Sequence, residues 1–221
     1  MFAPADIQGK PYPRQALLQR SREMYNYFTL PCPAPPSVVA AYKSLRLSSL
    51  KADPANFDSA HTREFSFTDD EWQKELDSAS KRIFVASVSS ASSSEADGES
   101  VTDTNSWVAI VTILASSEFF PDIIEPLQES GWPANWEPYY LGGFWVHPEH
   151  RAKGLGKELI KQGLEWARTA QFMETDEETE RMVIACVHDC SRGAQALFTK
   201  LGFCDLDMQP WEGERCMAIK V

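Results

Sequence analysis

Val146-His147-Pro148-Glu149-His150-Arg151-Ala152-Lys153-Gly154-Leu155-Gly156-Lys157 is the stretch that decides the fold. An apolar strand over 141–146 runs into Pro148, which has no N–H to offer a ladder and so ends the pairing. After a short turn, Leu155, Leu159, Leu164 and Ala167 recur near helical spacing, with Lys157, Glu158, Lys161 and Glu165 on other faces. That pattern predicts an amphipathic helix beginning at the glycines and running to about Gln171. The first N–H groups of a helix have no partner inside it and carry the positive end of its dipole. Without Cβ atoms, Gly154 and Gly156 let an anion approach those donors, and Arg151, Lys153 and Lys157 add positive charge nearby. The physical reading is a cradle for a diphosphate. It is not a dinucleotide fingerprint, which needs a third glycine, and it is too short for a nucleoside-triphosphate loop.

The elements around this stretch alternate between strand and helix. Residues 1–22 read as an N-terminal extension kept irregular by Pro4, Pro11 and Pro13. Met24 to Leu30 alternates aromatic and polar side chains and predicts a first strand. Ser37 is placed to cap a helix over about 38–50, and Thr68-Asp69-Asp70-Glu71 is a capping-box pattern opening a helix to about Ala79. Strands are expected over 82–88, 107–114, 139–146, 182–187 and 215–220, with a last helix over 191–201. Residues 89–105, rich in Ser, Asp and Glu, predict a mobile loop. Residues 115–138 form an aromatic-rich insertion without a regular period, and 174–180 an acidic connection.

Composition bounds the function. At 221 residues the chain is one domain with extensions, and 43% hydrophobic residues suffice for a core. No apolar run approaches the ~20 residues of a membrane-spanning helix, so no membrane partner is expected. The start shows no secretory signal pattern. A net charge of −11 argues against nucleic acid as a partner. The five cysteines are odd in number and scattered, which reads as a reducing compartment and a cytoplasmic protein. Cys186-x-His188-x-Cys190 falls at a strand end, where thiols and an imidazole beside a cleft are expected rather than a metal site.

Arg151, Gly154 and Gly156 following Val146 and Pro148 resemble the pyrophosphate motif of the GNAT superfamily of acyl-CoA-dependent N-acyltransferases. Ser191-Arg192-Gly193-Ala194-Gln195-Ala196-Leu197-Phe198-Thr199-Lys200-Leu201-Gly202-Phe203 resembles that family's later motif, in the expected order. The resemblance covers about residues 23–221. It implies an α+β fold of three layers: a mixed, mostly antiparallel twisted sheet flanked by helices and splayed at its central strand. It also implies acetyl-CoA (coenzyme A) as cofactor and direct transfer of an acetyl group to the primary amine of a small molecule. The alternatives are a non-catalytic acyl-CoA-binding protein and a protein or peptide N-acetyltransferase. The protein is expected as a monomer or homodimer.

In such a site the cofactor's arm would lie along Phe144, Trp145 and Val146, and its diphosphate at Arg151, Ala152, Lys153, Gly154, Leu155, Gly156 and Lys157. Ser191, Ala194 and Phe198 would border the thioester. Phe198 stands where the family often has a proton-donating tyrosine, and Ser191 where it has asparagine. Tyr140 occupies the position at which many relatives place a glutamate base, and its phenol is a candidate donor to the leaving thiolate. Glu137, among aromatics, is a candidate base whose pKa burial would raise, and His188 titrates near neutrality close to the expected sulfur. Leu45-Arg46-Leu47 through Asp53-Pro54-Ala55-Asn56-Phe57 resembles a segment of small-molecule members that borders the acceptor. Arg46 is thus a candidate ligand for an acceptor carboxylate, with Phe57 beside it. Trp132, Trp136 and Tyr139 are candidates for an aromatic wall able to hold a cation.

Overall fold

The computed structural model describes residues 24–57, 63–89, 106–119, 125–127, 129, 135–170, 179–207 and 212–221. The proposed extension, most of the 89–105 loop, much of the aromatic insertion including Trp132, and most of the acidic connection lie outside the described residues.

Strands β1 (Met24–Thr29), β2 (Lys81–Ser89), β3 (Trp107–Ala115), β4 (Trp136–Val146), β5 (Glu180–His188), β6 (Cys204–Asp205) and β7 (Glu214–Lys220) form one sheet ordered β1-β2-β3-β4-β5-β7-β6. Among the described strands only β4 and β5 pair in parallel. Helices α1 (Pro36–Ala52) and α2 (Asp69–Leu76) cover one face, and α3 (Leu155–Thr169) and α4 (Arg192–Leu201) the other. This is the three-layer α+β arrangement expected from the sequence. None of the described helices is long and apolar enough to cross a membrane.

The local chemistry explains the boundaries. α1 begins earlier than expected because Pro36, whose ring presets a helical φ, occupies its first turn; Ser37 is not the cap. α2 opens with the capping box: Thr68 Oγ1 accepts from the Glu71 N–H and the Glu71 carboxylate accepts from the Thr68 N–H. It ends at Leu76, once Trp72 and Leu76 have been buried. α3 seats Leu155, Leu159, Ile160, Leu164 and Ala167 on the sheet. Gly163 lets it settle there, since a Cβ would fall 2.8 Å from Ile113 Cγ1.

Two irregularities of β4 shape the centre. Ile110 faces Trp145 while Thr112 faces Gly142, so Val111 stands opposite both Gly143 and Phe144. This is a β-bulge, and Gly143 takes a φ of 59° that L side chains rarely adopt. The extra residue reverses the inside–outside alternation. Tyr139 and Leu141 face α3 before the bulge, Phe144 and Val146 face it after, and Trp145 turns to α1. β4 also leaves β5 early. Their pairing ends at Tyr140 and Ile184, whereas β5 stays paired with β7 to His188 and Glu214. The backbone edge of 141–146 that faces away from β3 therefore opens a cleft in the sheet, the splay expected for the resemblance.

The cysteines correct the sequence expectation. Cys186 and Cys216 are direct partners in the β5–β7 register and form a disulfide. Their separation in sequence concealed that neighbourhood, which only strand pairing creates. The bond removes Cys186 from any metal set with His188 and Cys190.

Candidate active site

The cleft is flanked by two helix starts. On the α3 side, Gly154 precedes the helix in a left-handed conformation with φ 92°, and a Cβ added there would meet nothing within 4 Å. Among the described residues no side chain caps α3, and its ladder begins where the Glu158 N–H reaches the Gly154 carbonyl. The N–H groups of Leu155, Gly156 and Lys157 precede that first rung, at the positive end of a helix of 15 residues. An open approach, backbone donors and the exposed Lys153 and Lys157 fit a diphosphate. The edge of β4 over 141–146 fits an arm that carries amides.

Several residues expected to touch the cofactor have other duties. Gly156 is small for packing, since its Cβ would fall 2.7 Å from Phe144 Cζ and 3.2 Å from Leu197 Cδ2. Gly156 thus seats α3 against β4 and α4, and only Gly154 is open to a ligand. The Leu155 side chain lies in the core, leaving its N–H as the functional group. Arg151 is committed: its Nε donates to the Val146 carbonyl at 2.9 Å and its Nη2 to Asp53 Oδ2 at 2.5 Å. It shapes the loop that carries Ala152, itself at φ 59°. Trp145 points away from α3 and donates its indole N–H to the same Asp53 oxygen at 2.6 Å. Phe198 is 2% exposed, packed between Phe144 and Phe203. Ala194 lies half-buried in the first turn of α4. Ser191 does not cap α4; its hydroxyl donates to Asn56 Oδ1 at 2.5 Å.

Asp53 and Asn56 were not singled out by the sequence as site residues. Together they form a strap after α1. Asp53 ties the strap to the end of β4, and Asn56 ties it to Cys190 and Ser191 beyond the splay. The strap thereby joins the two halves of the sheet. The sequence resemblance set this segment beside the acceptor but carried no signal for these ties, because the partners lie far apart in the chain.

The opposite wall holds Tyr140, His188 and Glu214. Tyr140 packs edge-on against Phe119 and lies over Gly142, whose Cβ would fall 3.0 Å from the ring. Burial holds its phenol protonated far above the usual range, and the negative charge of Glu214 pushes the same way. His188 Nδ1 accepts from the Cys190 N–H at 3.3 Å, so the neutral ring carries its proton on Nε2. Glu214 stands opposite His188 in the β5–β7 register, near enough for its charge to act on Tyr140.

Two groups of expected residues are displaced. Glu137 lies under α3, 5% exposed, with one oxygen accepting from the Tyr139 hydroxyl at 2.8 Å and the other from Arg181 Nε at 3.1 Å. Arg181 in turn donates to the carbonyls of Ala167 and Arg168. The carboxylate is a strut between β4, β5 and the end of α3, away from the cleft. Trp136 and Tyr139 occupy opposite faces of β4, because their spacing in a strand separates them, so they share no wall. Tyr139 is buried against Trp166.

Arg46 reaches the β4 bulge from α1. Its Nε and Nη2 donate to the two Glu64 oxygens at 2.8 and 2.9 Å, and its guanidinium lies 4.8 Å from the centre of the Phe57 ring. On the turn before the cradle, His147 Nδ1 accepts from the Glu149 N–H and His150 Nδ1 pairs with the Tyr25 hydroxyl.

Residues 130–203 match the acetyltransferase (GNAT) family. No curated protein matches the chain. Among solved structures, a GNAT-family acetyltransferase from Streptococcus pneumoniae is similar over 89% of this chain and 100% of its own, with TM-score 0.52 and 17% identity. A probable acetyltransferase from Staphylococcus epidermidis aligns over 90% and 99%, with TM-score 0.54 and 13% identity. Arabidopsis thaliana NAA60, solved in complex with acetyl-CoA, aligns over 90% and 99%, with TM-score 0.53 and 12% identity. At such identities the likeness is one of fold.

Proposed function

We propose, from the premise that the chain carries a GNAT-family acetyltransferase domain with acetyl-CoA as its donor, that it acetylates the primary amine of a small molecule by direct attack. The observation that carries this reading is the cleft itself: an unpaired β4 edge leading to an open, uncapped helix start at Gly154.

When bound, acetyl-CoA supplies an activated thioester carbonyl. The N–H groups of Leu155 to Lys157 hold the diphosphate, and the edge of 141–145 that β5 leaves unpaired orients the arm toward the bulge. Tyr140 keeps the proton on its phenol and donates a hydrogen bond that stabilises the leaving sulfur, the role Phe198 cannot fill. Glu214, on the same side, draws the proton from the attacking amine, directly or through water. His188, donating from Nε2, steadies the same end of the cleft. Glu137 has no part in proton transfer, because both oxygens are engaged away from the cleft.

Calorimetry of acetyl-CoA against the wild type and Gly154→Glu, followed by a thiol-release assay over a panel of primary amines, tests the proposal. Binding that is lost in Gly154→Glu, turnover of an amine, and a drop of at least ~10-fold in kcat for Tyr140→Phe at unchanged acetyl-CoA affinity are expected. A folded wild type that binds no acetyl-CoA overturns the proposal.

A further inference from the structure

One buried donor near the bulge is left unused. Arg46 spends Nε and Nη2 on Glu64, but its Nη1 is fully buried and has no hydrogen-bond partner among the described residues. The side chains of Arg46 and Glu64 are 10% and 9% exposed. An unpaired buried N–H of a charged group is costly, so its persistence calls for an explanation. Nη1 lies beside the bulge, 3.8 Å from where a Gly143 Cβ would stand, with Thr112 Oγ1 3.5 Å from the same point. The floor here is bare backbone, Gly142 and Gly143, with the Tyr140 ring on one side and the guanidinium on the other. This is the α1 face of β4, opposite the face where α3 presents its N-terminus.

Resting on the transferase reading, we infer that Arg46 Nη1 binds an uncharged carbonyl oxygen of the acceptor, so that the favoured substrates are amines bearing an amide carbonyl beside the nucleophile, as in α-amino amides. The charge arithmetic selects the neutral oxygen. The Arg46 guanidinium is already matched by the Glu64 carboxylate, so the pair is neutral and offers N–H groups without net attraction for an anion. An acceptor carboxylate would be buried within reach of Glu64 and repelled by it. This revises the sequence expectation that Arg46 holds a carboxylate. The Phe57 ring and the bidentate fork fix the guanidinium plane, so Nη1 is oriented before the acceptor arrives.

The test compares alaninamide, leucinamide and phenylalaninamide with the corresponding amino acids and the corresponding alkylamines lacking the carbonyl. The variants are Arg46→Lys, in which Glu64 consumes the ammonium, and Arg46→Met with Glu64→Met, which removes both charges and guards against a buried unpaired one. Each protein is assayed by thiol release and by calorimetry of the amide on the acetyl-CoA-loaded form. In the wild type, amides are expected to exceed alkylamines by roughly 10- to 100-fold in kcat/KM, as expected for filling a buried donor. Both variants lose that preference while acetyl-CoA affinity is unchanged. A wild type that binds no amide when loaded, prefers the carboxylates, or keeps its preference in the double variant overturns the inference and leaves the transferase reading standing. A wild type that fails to bind acetyl-CoA overturns both, and calorimetry of the cofactor alone distinguishes the cases.

Discussion

Replacing Asp53 by alanine should loosen the joint between the strap and the cofactor loop, and its cost follows from what one carboxylate oxygen holds. Asp53 Oδ2 accepts both from Trp145 Nε1 and from Arg151 Nη2. Trp145 is 4% exposed, so its indole N–H would be orphaned, at about 1–3 kcal/mol. Arg151 is half exposed and its ion pair is screened by solvent, contributing under ~1 kcal/mol. The sum is about 1–4 kcal/mol, which in a domain of this size lowers Tm by about 2–16 °C. Asp53→Asn retains an acceptor for the indole and loses only the charge, so it should cost at most ~1 kcal/mol. Urea denaturation of Asp53→Ala, Trp145→Phe and the double variant would measure a coupling of about 1–2 kcal/mol. Asp53→Ala within about 0.5 kcal/mol of the wild type, or additivity in the cycle to the same margin, would refute the reasoning.

Three further outcomes are expected. Tyr42, Tyr139 and Tyr140 have phenol pKa values raised chiefly by burial, from an ordinary value of 10.0. Above pH 10 the unfolded chain loses these protons while the folded one keeps them, so stability present below that pH falls as pH rises, by up to about 1.4 kcal/mol per pH unit for each tyrosine. Denaturant midpoints measured across the alkaline range check this, and a flat profile would contradict the burial. Alkylation in denaturant without reductant should label Cys32, Cys190 and Cys204 and spare Cys186 and Cys216 until reduction, as mass spectrometry would show. Gly163→Ala should destabilise despite the better helix propensity of alanine, by about 1 kcal/mol, because overpacking against Ile113 outweighs the gain; a stabilised variant in thermal melts would mean that α3 rides higher on the sheet.

Most of the fold could be read from the chain because its signals are local. Pro148 ends β4, the spacing of Leu155, Leu159 and Leu164 turns α3 toward the sheet, and Thr68 with Glu71 opens α2. The bend after β4 and the bare backbone at Gly154 are likewise written in consecutive residues. The bulge at Gly143 and Phe144 emerges only from the β3 register, with Gly143 at positive φ.

The candidate site was only half legible, since its remaining members meet through strand register and helix packing. Periodicity alone could not tell that Glu137 belongs under α3 with Arg181, that Trp136 and Tyr139 part to opposite faces, or that a bulge turns Trp145 toward Asp53. Nor could spacing reveal that Cys186 meets Cys216, that Gly156 is small because Phe144 presses on it, or that Glu64 takes two of the three Arg46 nitrogens. By itself the sequence determined the order of elements and the donor cradle, because backbone geometry and helix ends depend on near neighbours. Tertiary structure alone decided which side chains face the cleft, because a one-residue change of register moves a side chain to the opposite face of a sheet.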